Sequence, residues 1–154
     1  MRYIPCFLIL CTILAAACSK DKVETKPSLS VKSLSSNVVP INSDLSVTLE
    51  FTDKEADLSS IFVQKIRQNR RTTATIRDTF SLNIADFPKK TNGELEIRLF
   101  YQLQLLSAAA APSNPNSPTG YESDSLIIRF ALRDKAEHVS DTVSTSMIEV
   151  QRLN

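Results

Sequence analysis

Asp53, Glu55 and Asp57 alternate along one short segment. Carboxylates spaced this way on a turn can converge on Ca²⁺, a hard cation that takes about six to eight oxygens. A second acidic turn, Asp134, Glu137 and Asp141, follows near the C-terminus. It can add ligands only if both turns share one end of the fold. The competing reading is ordinary turn chemistry, with solvated acids whose side chains bond nearby backbone. The second turn also carries His138 and Ser140. Serine hydrolysis needs a hydroxyl activated by a positioned His, together with an oxyanion hole. No nucleophile-elbow motif surrounds any Ser, and Asp134 to Asp141 is too local to form a cleft. Exposed turn residues are the better reading, and no enzyme is expected.

Lys65, Arg67, Arg70, Arg71 and Arg77 form a basic run without an acid between Leu58 and Asp78. Arginine forks match phosphate and carboxylate, so Arg67, Arg70 and Arg71 are candidates for an anionic ligand such as a lipopolysaccharide phosphate or an acidic glycan. Alternatively, the run is the solvated face of a hairpin that guards an edge strand. Phe100 and Tyr121 are candidates for stacking on a sugar ring, while Tyr101 falls in register with the core. Trp, the best side chain for that purpose, is absent.

Other chemistries are excluded by composition. Two glycines, Gly93 and Gly120, cannot build a glycine-rich phosphate loop, and one His cannot supply a His-based metal cluster. Cys6, Cys11 and Cys18 form no CxxC pair. Eighteen basic residues against 17 acidic ones give no excess for nucleic acid. No cofactor is implied. At 154 residues and 42% hydrophobic, the chain has room for one domain with its own core.

The N-terminus reads MRYIPCFLILCTILAAAC: a basic residue, an apolar stretch, then three alanines. This is the pattern of a cleaved secretory signal over residues 1–17, too short for a membrane span of about 20 residues. Leu14-Ala15-Ala16-Ala17-Cys18 resembles the lipobox of bacterial lipoproteins, with Leu one place further from the Cys than usual. The resemblance implies a diacylglyceryl group on Cys18, which becomes the first mature residue. Cleavage there leaves a single Cys, and a lipid accounts for it. Removing residues 1–17 takes one basic residue, Arg2, and no acid, so the mature chain is formally neutral. The lipid, rather than charge, would then hold the membrane. Ser19-Lys20-Asp21-Lys22 resembles the charged signal that follows the lipid-bearing Cys in surface-exported lipoproteins of the Bacteroidota. Residues 18–27 read as a flexible tether.

The elements that must position these residues are strands. Leu45 to Thr52 alternates apolar and polar without a fault, as a half-buried strand does. Phe80 to Ile84, Leu95 to Leu105 and Leu126 to Leu132 repeat the pattern. Fainter strands are expected at 28–34, 61–66 and 143–150, the last broken near Met147 and Ile148. Seven strands and no long amphipathic helix predict an all-β fold, an antiparallel immunoglobulin-like β-sandwich over 28–154. Residues 107–121, with Pro112, Pro115 and Pro118, cannot be a strand and read as a long hairpin loop.

Leu49 to Leu58 resembles a strand-and-turn motif of small Bacteroidota lipoproteins, and Asp124 to Val143 is similar to their closing hairpin. Ala56 stands where that family has Gly, and Glu137-His138 where it has Gly-Asn. Both places suit φ > 0, which Ala and Glu tolerate poorly, so differently shaped turns are expected here. The resemblance implies a lipid-anchored, immunoglobulin-like module without an assigned activity, facing either the cell surface or the periplasm. A protein partner is the first expectation. A glycan, as in the accessory lipoproteins of outer-membrane nutrient uptake, is the alternative.

Overall fold

The computed structural model describes residues 25–69, 77–84, 89–106 and 110–153. The fold is all-β, with two sheets closing on one apolar core. The elements are β1 (Ser28–Leu34), β2 (Val38–Val39), β3 (Leu45–Thr52), β4 (Leu58–Arg67), β5 (Arg77–Asn83), β6 (Asn92–Leu99), a π-helical turn (Tyr101–Leu105), β7 (Asp124–Asp134), β8 (Val143–Ser144) and β9 (Ile148–Val150). The smaller sheet runs β1-β3-β6. The larger runs β2-β9-β7-β4-β5, with β8 also on β7. Every pairing is antiparallel except β2 with β9, so the larger sheet is mixed rather than purely antiparallel.

Period two explains the core. Leu45, Val47, Leu49 and Phe51 of β3 face Leu126, Ile128, Phe130 and Leu132 of β7 within one buried cluster. Each such side chain contributes about 1.5–3 kcal/mol when fully buried. Phe51 lies opposite Gly93 in the register, and its ring covers that glycine: a Cβ there would meet the ring at 3.2 Å. The last patterned segment divides into β8 and β9 at the break near Met147.

Two expectations fail. The strand beginning at Leu95 stops at Leu99 instead of continuing to Leu105. Asp44 Oδ1 accepts the Tyr101 N–H at 3.0 Å, and Gln104 Oε1 accepts the Phe100 N–H at 2.7 Å. These side chains cap the strand end, and the chain coils into the π turn. Tyr101 and Leu105 stay buried, but Leu103 is 79% exposed. The loop expected at 107–121 also does not join a hairpin, because β6 lies in the smaller sheet and β7 in the larger one; residues 107–109 lie outside the described residues. Within the crossing, Ser113 bridges Tyr121, and Asn114 N–H donates to the Gly120 carbonyl, so 113–121 is a closed turn.

Candidate functional site

The β3–β4 and β7–β8 turns meet at one end of the fold, where the Lys135 N–H donates to the Asp57 carbonyl at 3.0 Å. Asp53 and Asp134 continue the inward phase of β3 and β7 and are each only 1% exposed. They are therefore not solvated turn acids. Asp53 Oδ2 accepts the Asp57 N–H at 2.8 Å, while Oδ1 is buried with no hydrogen-bond partner. Asp57 Oδ1 is likewise buried and unpartnered. Burial, reinforced by the charges of Asp53, Asp134 and Glu55, holds the Asp57 carboxyl above the ordinary range. Asp134 is fully engaged by His138, through its N–H at 2.8 Å and its Nδ1 at 2.9 Å.

The other acids of these turns face away. Glu55 accepts from the Thr25 hydroxyl at 3.0 Å. Glu137 pairs with Arg133, and Asp141 with Lys26. Thr25 and Lys26 thus tie the chain to this end, and Pro27 is buried, so the expected tether is shorter by these three residues. Among the described residues, no three acids, histidines or cysteines are placed to hold one metal ion. Ser140 does not face His138: its hydroxyl accepts the Leu132 N–H and donates to the Asp141 carbonyl. Ser140 is therefore not placed as a nucleophile for the His–Asp pair.

The turns keep the left-handed geometry that glycine would suit, contrary to the expectation of a different shape. Ala56 has φ 54° and Glu137 φ 70°. Each cross-turn bond set overrides the local preference. Asp53 takes the Asp57 N–H, Asp134 takes the His138 N–H, and both conformations are held from outside the strained residue.

The opposite end carries a buried ionic cluster that sequence reading missed. Arg67, expected to face an anionic ligand at the surface, is 1% exposed and bonds Asp124 through Nε at 2.7 Å. Arg152 reaches the other Asp124 oxygen at 3.0 Å. Asn69 ties Arg67, Glu122, the Ser123 carbonyl and the Ser125 N–H together. Lys65 is buried too, and donates to the Leu106 carbonyl at 2.7 Å. A signal was present in the sequence: Lys65 and Arg67 share the phase of Ile61 and Val63, and Asp124 that of Leu126. Arg70 and Arg71 lie outside the described residues, as does Cys18.

The aromatic candidates differ in exposure. Tyr101 is in the core and donates its hydroxyl to the Gln151 carbonyl at 2.6 Å. Tyr121 is partly buried in the crossing segment. Phe100 is exposed, but the Arg98 guanidinium lies 5.4 Å from its ring centroid. Two of the open cavities border these elements. One, of about 420 Å³, lies between Gln68, Asn114, Pro118, Glu122 and Met147. The other, of about 570 Å³, is at the acidic end, between Phe51, Asp57, Leu58, Ile84 and Lys135.

No family model matches the sequence, and no curated protein matches it. Among solved structures, the chain is similar to Spo0M, a sporulation control protein from Bacillus subtilis, at 11% identity and TM-score 0.43, over 83% of this chain and 50% of that one. It is also similar to part of a beta-glucosidase from Listeria innocua, at 13% identity and TM-score 0.40, over 82% of this chain and 16% of that one. A beta-glucosidase from Erythrobacter marinus gives 10% identity and TM-score 0.36, again over 16% of its length. This chain thus spans half of Spo0M and a small part of either glucosidase. Likenesses this distant bear on neither activity nor substrate.

Proposed function

We propose that this protein is a non-catalytic envelope lipoprotein, an immunoglobulin-like sandwich held to the outer membrane by a lipid on Cys18. It presents its far end to a protein partner. The observation that carries this reading is where the chain enters the fold. Thr25 and Lys26 bond Glu55 and Asp141 at the acidic end. Six residues lie between Cys18 and Thr25, and seven fully extended steps of the chain span about 25 Å. The acidic end then stays close to the bilayer. The π turn, the 113–121 turn and the exposed Phe100 and Leu103 point away from it. Among the described residues no helix is long and apolar enough to cross a membrane, so the lipid is the anchor in this reading.

Cell fractionation with palmitate labelling tests the anchor. Wild-type protein is expected in the membrane fraction with label, and a Cys18→Ala variant without either. Membrane retention of an unlabelled Cys18→Ala protein would overturn the reading. Proteinase treatment of intact and lysed cells then separates the surface from the periplasm. The glycan-binding alternative keeps Phe100 as its main support. A binding screen across a broad oligosaccharide panel, read by tyrosine fluorescence, decides it, and no quenching by any sugar removes it.

A further inference from the structure

Asp53 and Asp57 sit in one five-residue turn, and each has a buried carboxylate oxygen with no hydrogen-bond partner. Asp53 is 1% exposed, so water does not solvate it from outside. Buried carboxylate oxygens are costly unless something positive meets them. Asp134 adds negative charge at the same end, and both its oxygens are already taken by His138. Lys135 acts on Asp57 through its charge alone, and both buried oxygens stay without a hydrogen-bond partner. The donors on offer are all oxygens, the set that hard cations prefer to nitrogen or sulfur.

We propose that Asp53 and Asp57 together bind a hard divalent cation of the Ca²⁺ class where the β3–β4 turn meets the β7–β8 turn. The two carboxylates supply the anionic part of the shell. Carbonyl oxygens and water complete it, because no third acidic side chain is placed to ligate. Glu55, an expected ligand, belongs instead to the Thr25 contact. A site with only two carboxylates falls among weak extracellular Ca²⁺ sites, with Kd about 10⁻⁴–10⁻³ M.

The test uses the full chain in detergent at neutral pH, stripped with EDTA and titrated with CaCl₂ alone. Thermal unfolding and calorimetry are read together. With Ca²⁺ tenfold above Kd, the unfolding midpoint should rise by about 3–5 °C, and EDTA should reverse it. Asp57→Asn should abolish both the shift and the binding heat, while Glu55→Gln should keep them. Asp53→Asn removes a turn cap as well as a ligand, so Asp57→Asn is the deciding variant. The proposal is overturned if CaCl₂ gives no shift and no heat, or if NaCl at matched ionic strength gives the same shift. It is also overturned if Asp57→Asn keeps the response or Glu55→Gln loses it equally.

Discussion

Replacing Ala56 by Gly should not destabilise the protein, although Ala→Gly usually does. Ala56 has φ 54°, in the left-handed region. An L-residue there costs about 1–2 kcal/mol, which Gly does not incur. Against this, Gly gains unfolded-state entropy that costs about 0.4–1 kcal/mol. The lost methyl is only partly buried and costs about 0.4 kcal/mol, half of a buried CH₂. Central values give a net change of about 0.4 kcal/mol in favour of Gly. At Ala131, inside β7 where φ is negative, the same replacement has no strain to relieve and costs about 1 kcal/mol. The two sites should therefore differ by about 1–2 kcal/mol, or about 3–8 °C in a domain of this size. Urea unfolding of Ala56→Gly, Ala56→Asn, Ala56→Val and Ala131→Gly gives the comparison. Among the position-56 variants, Gly and Asn should be the most stable and Val the least, because β-branching fits φ > 0 worst. If Ala56→Gly loses as much as Ala131→Gly, or Val matches Gly, the turn does not hold a strained residue.

Asp124→Asn should cost about 3–5 kcal/mol, because it leaves Arg67 and Arg152 buried without their shared carboxylate; urea midpoints at neutral pH measure this, and a loss below 1 kcal/mol would mean the cluster is solvated. Tyr101→Phe removes the bond to the Gln151 carbonyl and should cost about 1 kcal/mol, with exchange of the C-terminal amides expected to rise. In EDTA, stability should depend on pH through Asp57, whose folded pKa is raised above 3.8. The folded state binds this proton more tightly than the unfolded chain. Its contribution is therefore fully present below 3.8 and lost as pH rises through the folded value. The difference between wild type and Asp57→Asn in unfolding midpoint should widen across that window; an unchanged difference would refute the raised pKa.

Much of the fold was legible because most strands bury one face. Leu45 to Thr52 and residues 28–34 read off the pattern with the bounds the structure has. The stop at Leu99 was not legible, because it depends on Asp44, which is distant in sequence and takes the Tyr101 N–H. Nor was the parallel pairing of β2 with β9, made by strands of two and three residues that carry little period of their own. The turn acids were legible as residues, but their burial was not. Strand phase, carried past the last apolar residue, would have placed Asp53, Arg67, Asp124 and Asp134 inside. Reading Asp53, Arg67 and Asp134 as surface charge ended the phase one step too early.

That phase also bears on how the register is fixed. A one-residue slip of β7 against β4 would turn Leu126, Ile128, Phe130 and Leu132 outward, so hydrophobicity alone forbids it. A two-residue slip would keep every apolar side chain inward, and the apolar pattern cannot distinguish it from the native pairing. The charges can. Moving β7 by two would carry Asp124 away from Arg67 and shift Asp134 relative to the β3–β4 turn, whose Asp57 carbonyl takes the Lys135 N–H. Arg67 would then stay buried away from the Asp124 carboxylate, a cost of several kcal/mol, and the Lys135 bond to the Asp57 carbonyl would be lost. A buried ion pair at one end of the apolar stripe and a backbone bond at the other thus discriminate where the stripe is ambiguous. They do so even if the ion pairs add nothing over a well-packed apolar core.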